Sequence, residues 1–312
     1  FFITGKMAKS GSDFVVDFLA GGISGAISKT ATAPIERVKL VIQTQDANPK
    51  IISGEVARYT GMGDAFTRIA KEQGFGAFWR GNATNIIRYF PTQAFNLAFK
   101  DSIKKAFPKY NKDTQFWQFF GTQLASGGAA GAASLTIVYP LDYSRTRLAS
   151  DVGSGKQQFN GLMDCLRKTA GGPGGFFSLY NGYGPSVAGI VAYRGAQFGL
   201  NDTIMAFNPY AKEQGFVPIM SKFIVAQIAV TASGLVAYPF DTIRRRLQMQ
   251  SDKPMEERLY KGTLDCGLKI MKDEGPAGMF KGALANIFRG VGASLVLVLY
   301  GEIKLIMEKN KQ

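Results

Sequence analysis

One ten-residue segment occurs three times in this chain and constrains its fold more than any other feature. The copies are PIERVKLVIQ at Pro34–Gln43, PLDYSRTRLA at Pro140–Ala149 and PFDTIRRRLQ at Pro239–Gln248. Their first residues are 106 and 99 positions apart in a chain of 312. A repeat at a nearly fixed period indicates an architecture built from copies of one unit. We therefore predict three repeats, at residues 1–112, 113–212 and 213–312.

Long uncharged stretches indicate that these repeats span a membrane. Residues 114–141 contain no charged side chain over 28 positions, and residues 223–240 contain none over 18. A helix of about 20 residues is long enough to cross a hydrocarbon core of about 30 Å. Mean hydropathy near zero would by itself fit a soluble, basic helical repeat protein. Glycine, however, supplies 37 residues, and motifs such as Gly21-x-x-x-Gly25 suit close helix packing in a membrane.

Each repeat shows the same order of segments: a long helix with the motif proline, a short amphipathic helix and a second long helix. We predict long helices at about 13–43, 83–107, 117–150, 185–207, 217–250 and 284–309. The motif prolines should kink the first helix of each repeat because they remove a backbone hydrogen bond. The short helices should lie on the membrane surface. The predicted fold is an all-α membrane protein with six transmembrane helices in three pseudo-symmetric repeats.

Residue types that are absent or rare restrict the chemistry. The chain contains no histidine, so neither a His-ligated metal site nor a histidine general base is predicted, and we expect no enzyme. Its two cysteines, Cys165 and Cys266, occupy matching places in LMDCLRK and TLDCGLK. Since these positions match in separate repeats, we expect each thiol to be packed within its own repeat and the two not to form a disulfide.

The repeated segment carries an acid two residues after its proline and a base three residues further on. These pairs are Glu36 and Lys39, Asp142 and Arg145, and Asp241 and Arg244. Such a spacing places both side chains on nearly one face of a helix, where a local ion pair would contribute a few tenths of a kcal/mol. Three copies beside prolines instead favour a ring in which each acid meets the base of the next repeat. Gln43 and Gln248 both stand nine residues after their proline.

Isolated basic residues inside apolar helices form a second signal. Lys29, Arg88 and Arg289 interrupt helices of repeats one and three. A charge at the centre of a bilayer costs at least ~2.5–3.5 kcal/mol, so such residues normally face a wet interior. A strongly basic cavity favours a polyanion, and arginine has a fork geometry suited to phosphate. Tyr193 could stack on a base or simply pack.

The excess of positive charge has a second possible interpretation, and it need not all serve one cavity. The net charge of +14 also fits a nucleic-acid-binding protein. The basic residues lie inside apolar helices rather than on an exposed patch, so we expect no nucleic-acid partner. Arg244, Arg245 and Arg246 add three adjacent charges, but they are 100° apart on a helix and cannot all face one cavity.

The repeated motif, read as Px[DE]xx[KR] and followed by stretches such as EQGFGAFWRG and DEGPAGMFKG, resembles the mitochondrial carrier family over essentially the whole chain. Segments such as AISKTATAPIERVKLVIQTQD, RYFPTQAFNLAFKD and YPFDTIRRR are similar to the members that exchange ADP for ATP. The resemblance implies exchange of ADP for ATP across the mitochondrial inner membrane. It also implies alternating access between a matrix gate and a cytoplasmic gate, and bound cardiolipin without any cofactor.

The resemblance assigns roles to individual residues. The matrix gate would consist of Glu36, Lys39, Asp142, Arg145, Asp241 and Arg244 with Gln43 and Gln248. The substrate would contact Lys29, Arg88 and Arg289 through its phosphates, Gly189, Ile190 and Tyr193 through adenine, and Asn96 and Arg246 elsewhere in the cavity. The cytoplasmic gate would retain Asp101, Lys104, Asp202 and Lys304.

Several positions depart from the family pattern. The RRRMMM signature of the members that exchange ADP for ATP reads RRRLQM at Arg244–Met249. Met205 replaces a base and Gly301 replaces an acid of the cytoplasmic gate, so only the bridge between Asp202 and Lys304 remains of three. Repeat two carries Pro173 and Asn181 where the pattern has an acid and a base, and Gln197 where an aromatic residue is usual.

These losses leave alternatives to ADP/ATP exchange. A carrier fold could be retained as a structural subunit of a larger inner-membrane assembly, such as a respiratory one, with weak or no transport. A carrier of a related nucleotide is a further alternative, and the chain could work as a monomer or inside a larger complex. With the matrix gate complete and the cytoplasmic gate reduced, we expect the state open to the cytoplasm to be favoured.

Overall fold

The computed structural model describes residues 11–292, except 112–113, 154, 156, 207, 211–212 and 214–215. Regular structure within these residues is helical throughout. The α-helices are α1 (Gly11–Thr44), α2 (Pro49–Ile52), α3 (Met62–Gln73), α4 (Asn82–Ala106), α5 (Phe116–Ala149), α6 (Leu162–Ala170), α7 (Tyr183–Ala206), α8 (Phe216–Met249), α9 (Thr263–Asp273), α10 (Gly275–Met279) and α11 (residues 283–292).

The long helices follow the prediction closely. Helices α1, α5 and α8 each contain 34 residues and continue through the motif prolines Pro34, Pro140 and Pro239. Helices α4 and α7 are the second long helices of repeats one and two. The predicted sixth helix, 284–309, is present as α11 up to residue 292, and its remaining part lies outside the described residues.

The long helices form a closed circle. Helix α1 packs on α4, α4 on α5, α5 on α7, and α7 on α8. The circle closes between repeats three and one, because Gly292 of α11 lies against Thr32 of α1 and α1 also contacts α8. Side chains of α4, α5, α7 and α8 line a common interior, and Arg88, one of the isolated basic residues, is among them.

The buried core is concentrated at one end of this circle. Every residue from Asp142 to Ala149, the last two turns of α5, is buried. Away from this end, large apolar side chains such as Trp117 and Ile228 are exposed. An apolar exterior around a polar, closed end suits a lipid environment. By length and composition, two described helices, Phe116–Ala149 and Met220–Met249, are apolar enough to cross a membrane.

The short helices α3, α6 and α9 pack beneath the same end as the buried core. Each buries one face against the long helix that precedes it, through residues such as Ile69, Cys165 and Ile270. Cys165 and Cys266 are both free and buried, so the prediction that they pack rather than form a disulfide is confirmed.

Glycine allows close contact between α1 and α4. A Cβ on Gly22 would collide with the Phe90 ring, and one on Gly25 would lie 2.7 Å from the Tyr89 ring. The close contact that we predicted for a G-x-x-x-G pair at Gly21 and Gly25 therefore involves Gly25 and Gly22, while the surroundings of Gly21 lie outside the described part.

Candidate functional site

The six motif charges meet at the buried end and form a ring of three ion pairs between repeats. Glu36 pairs with Arg145, Asp142 pairs with Arg244, and the Asp241 carboxylate lies 2.8 Å from Lys39 Nζ. Each acid thus contacts the base of the next repeat around the circle. We call these six residues the gate ring. Local pairs within each repeat, the simpler interpretation of the spacing, do not describe this geometry.

Two glutamines brace the gate ring from below. Gln43 Nε2 donates to Asp241 Oδ2 at 3.2 Å and to Thr242 Oγ1 at 3.0 Å. Gln248 Nε2 donates to the Tyr139 hydroxyl at 3.1 Å and lies 3.4 Å from Asp142 Oδ2. Both side chains are fully buried. Their hydrogen bonds link each glutamine to an acid of the ring, and repeat two has Ala149 at the same offset.

Aromatic rings that stand directly before two of the motif prolines also hold the ring. Lys39 Nζ lies 5.0 Å from the centroid of Tyr238, and the Arg244 guanidinium lies 5.3 Å from that of Tyr139. Both distances are within the range of a cation–π interaction. The sequence carries this signal as Tyr-Pro pairs in repeats two and three, although no role was predicted for these tyrosines.

Arg245 is a further member of the site that sequence analysis missed. Its Nη1 lies 3.3 Å from Asp142 Oδ2 and its Nε lies 3.3 Å from Asp241 Oδ1, so one buried guanidinium bridges the acids of two repeats. It also donates to Thr146. Three adjacent arginines gave no indication of which one would point to the centre of the circle.

A cavity of about 470 Å³ lies above the gate ring, between α4, α5, α7 and α8. Five of the eight predicted substrate residues line it: Arg88, Asn96, Gly189, Ile190 and Tyr193. Arg194 and Gln197, which the sequence analysis did not assign to the substrate, line it as well. The gate residues Asp241 and Arg244 form its floor.

Arg88 connects this cavity to the gate ring. Its Nη1 lies 3.6 Å from Asp142 Oδ1, while its side chain also lines the cavity. Asp142 thereby faces Arg244, Arg245 and Arg88 at once, and this carboxylate is almost fully buried. An anion that draws Arg88 into the cavity would remove one of the cations that neutralise the buried acid.

Lys29 and Arg289 lie on the α1 and α11 side of the interior. Lys29 Nζ is 5.1 Å from the centroid of Tyr89, and Arg289 donates to Asn286 Oδ1 at 3.1 Å. Both interact electrostatically with Glu36 of the gate ring. The structure therefore brings the three isolated bases near the ring, although only Arg88 of the three lines the described cavity.

The prediction that Arg246 lines the cavity is corrected by the structure. Its side chain is completely buried and turns away from the cavity. The guanidinium pairs with Glu274 and lies 3.1 Å from Asp46 Oδ2. A rotation of about 100° per residue sends Arg244 towards the ring, Arg245 to its centre and Arg246 to the loops beneath.

Most of the predicted cytoplasmic gate falls outside the described residues. Lys304 lies beyond residue 292, and the side chains of Asp101 and Asp202 are not described although their backbones belong to α4 and α7. Lys104 is exposed near the end of α4. The assignment of Asp101, Lys104, Asp202 and Lys304 to a gate stays a prediction.

A circle of membrane-compatible helices around a basic cavity, closed at one end by ion pairs between repeats, defines a membrane carrier. The family model described as "Mitochondrial carrier protein" matches residues 10–111, 116–210 and 216–311. The chain belongs to the mitochondrial carrier family.

Curated relatives cover almost the whole chain. The "ADP,ATP carrier protein" of Parachlorella kessleri is 57% identical over 300 residues, which span 95% of this chain and 86% of that protein. "ADP/ATP translocase 4" of Mus musculus is 55% identical over 294 residues, 93% of this chain and 89% of its own length. "ADP/ATP translocase 3" of Bos taurus is 51% identical over 304 residues, 96% of this chain and 100% of its own length.

Proposed function

We propose that this protein exchanges ADP for ATP across the mitochondrial inner membrane by alternating access. The names of relatives that are 51–57% identical over most of the chain support this activity. The observation that carries the proposal within the structure is the position of Arg88 between the basic cavity and Asp142. In this mechanism the gate ring closes the matrix side, and the cavity receives nucleotide from the cytoplasmic side.

Substrate binding then acts on the gate through charge. A nucleotide phosphate beside Arg88 competes with Asp142 for the same guanidinium. Loss of that contact leaves Asp142 less well neutralised in a buried environment, where an uncompensated charge is costly. A ligand shifts an equilibrium only by its differential affinity for the two states. Weakening of the closed ring by the bound anion provides that difference.

The predicted subsites give the cavity its polarity. Lys29, Arg88 and Arg289 would hold the phosphates near the ring. Tyr193, Gly189 and Ile190 line the wall formed by α7, where a planar base can pack against a small backbone surface and an aromatic ring. Gln197 adds an amide group to the same wall, and Asn96 adds one from α4. The cavity thus combines basic groups near the ring with a wall of mixed apolar and amide character.

Exchange by the purified chain in liposomes tests the proposal. Vesicles loaded with ADP should take up external ATP, and Arg88→Ala should abolish uptake while leaving the helical content near that of the native chain. Arg167→Ala is a matched control, because Arg167 is an exposed arginine of the surface helix α6. Native uptake rates in Arg88→Ala would refute the site assignment.

The same experiment separates the alternative functions. Uptake of a different nucleotide in preference to ATP would indicate a carrier of a related substrate. Absence of exchange, together with migration of the gently extracted protein in a large complex, would indicate a structural subunit. We propose that the protein works as a monomer and binds cardiolipin. The exposed apolar side chains Phe177 and Leu264, at the rim of the buried end, support contact with lipid. Mass spectrometry of the gently extracted protein would detect the lipid.

A further inference from the structure

A second set of interactions between repeats lies beneath the gate ring. It consists of Arg37, Arg147 and Arg246, one arginine from each repeat, whose side chains are at most 1% exposed. We call these three residues the arginine tier. The arginine tier lies nearer to the loops than the gate ring does. Neither the sequence motif nor the family assignment indicated that these three arginines join the repeats.

Two of these arginines cap the last turn of the first long helix of the next repeat. Arg37 Nη1 donates to the carbonyl oxygens of Leu148 and Ala149, the final residues of α5. Arg147 Nη1 donates to the carbonyl oxygens of Gln248 and Met249, the final residues of α8. The last carbonyl groups of a helix have no partner within the helix, and a cation there also interacts favourably with the helix dipole.

The contacts extend to the residues just after each helix. Arg37 also donates to the carbonyl oxygen of Asp151, and Arg147 Nη2 lies 2.7 Å from Asp252 Oδ2. Arg246 completes the circle by pairing with Asp46, which lies two residues beyond the end of α1. Repeat one thereby holds repeat two, repeat two holds repeat three, and repeat three holds repeat one.

We propose that the arginine tier is a second lock on the closed end, which holds the ends of α1, α5 and α8 together independently of the gate ring. This inference rests on the proposed alternating access. The ring and the tier join the same helix ends, so those ends cannot separate without breaking both. Since arginine keeps its charge and the capped carbonyl groups keep their need for donors, each broken contact must be replaced by water.

The tier therefore adds to the stability that the three ion pairs of the gate ring give to the state closed at this end. Arg37, Arg147 and Arg246 are positioning residues in this view, since none of them lines the cavity. Weakening one contact should raise the population of the opposite state without changing the substrate site. That outcome differs from general destabilisation, which would expose the interior from both sides.

A reporter cysteine distinguishes these outcomes. Ala237 lines the cavity one turn above Asp241, so Ala237→Cys can be labelled from whichever side is open. The protein without the reporter cysteine is the control, because its two native thiols are buried. An impermeant maleimide is applied from each side of vesicles that hold the chain in one orientation, without nucleotide. The measured quantity is the ratio of the labelling rate from the ring side to the rate from the other side.

Arg147→Gln should raise this ratio about tenfold, which corresponds to about 1.4 kcal/mol, with faster labelling from the ring side and slower labelling from the other. Asp252→Asn should change it in the same direction by less, because the carbonyl contacts of Arg147 remain. Arg167→Gln, an exposed arginine on the same side, should leave it unchanged. Restoration of most of the native ratio by Arg147→Lys would show that the cation acts at this position.

An unchanged ratio in both Arg147→Gln and Asp252→Asn would overturn the inference. If Arg147→Gln labels rapidly from both sides because it does not fold, Asp252→Asn decides alone: a raised ratio supports the lock and an unchanged ratio refutes it. ADP/ATP exchange is measured on the same native vesicles. Failure of the native chain to exchange would count against the proposed function, whereas the labelling ratio would still test the lock.

Discussion

At the scale of single residues, the gate depends on where each charge points rather than on how many charges there are. Arg244, Arg245 and Arg246 are adjacent in sequence, but they reach the ring, the centre of the circle and the loops below. Asp142 receives more cations than either of the other motif acids, including Arg88 from the cavity. Substitutions of neighbouring residues should therefore have separate and different effects.

Gln248 should contribute measurably to the closed state. Gln248→Met restores the methionine of the family signature at similar volume, but it removes the hydrogen bonds to Tyr139 and Asp142. A hydrogen bond to a charged group contributes about 1.5–3 kcal/mol, so we expect the unfolding temperature of the detergent-solubilised protein to fall by several degrees. Gln118→Met, at an exposed position, should have little effect. Equal melting of Gln248→Met and the native protein would show that the brace contributes nothing.

The two thiols should be unreactive in the folded protein. Burial raises the pKa of Cys165 to about 11 and that of Cys266 to about 12. At pH 8 a thiol with a pKa near 11 is ionised to about one part in a thousand, and the thiolate is the reactive form. Maleimide at pH 8 should therefore modify neither cysteine until denaturant is added, when both should react. Rapid stoichiometric labelling of the native chain, followed by mass spectrometry, would contradict this packing.

At the scale of the helices, each repeat has a glycine just before its second long helix. This glycine allows the start of the helix to lie against the motif base of the next repeat around the circle. Gly81 lies against Arg145, Gly182 against Arg244 and Gly282 against Lys39, in each case at the backbone carbonyl oxygen of the base. All three glycines have a positive φ. Rigid backbone contacts of this kind fix the position of the gate bases, which the side-chain pattern alone does not.

Gly182→Ala should therefore be strongly destabilising. A Cβ there would lie 2.7 Å from the Arg244 carbonyl oxygen, and the φ of +82° is also unfavourable for alanine. The dihedral angle should cost about 1–2 kcal/mol, and the overpacking should add about 1–3 kcal/mol. Gly175→Ala isolates the first contribution, because Gly175 has a φ of +60° but nothing within 4 Å of the added Cβ. Equal melting temperatures for the two variants would exclude a role for the contact.

At the scale of the whole molecule, the basic interior makes transport sensitive to membrane potential. The chain carries a net charge of +14, and Arg88, Arg194 and Arg244 all face the cavity. In the proposed exchange, ATP and ADP move in opposite directions, and ATP carries one more negative charge than ADP. Each exchange therefore moves one net charge across the membrane.

The exchange ratio should follow an imposed potential. One elementary charge corresponds to about 2.3 kcal/mol per 100 mV, or about fifty-fold in the equilibrium ratio of ATP to ADP across the membrane. Liposomes with a potassium diffusion potential allow this ratio to be measured with labelled nucleotides. Collapse of the potential with a protonophore in the presence of valinomycin is the control. A ratio that does not respond to potential would show that the exchange moves no net charge.

The sequence by itself determined the architecture and the members of the gate. Three copies of one motif at a nearly constant spacing imply three equivalent units, and the spacing of three residues between acid and base implies a shared helix face. Hydrophobic patterning placed the ends of the described long helices to within two residues, because charge and proline interrupt these segments at defined points. Isolated charges in apolar helices also indicated a polar interior.

Only the tertiary structure decided which charge meets which. The contacts between Arg88 and Asp142, between Arg245 and Asp142, and between the arginine tier and the next repeat join residues about 50 to 200 positions apart. The arginines of the tier stand at different offsets from their prolines, three residues in repeat one and seven in the others. Their common role arises because the ends of three helices converge at one point. A step of one residue along a helix turns a side chain by about 100°, which decides whether it faces that point.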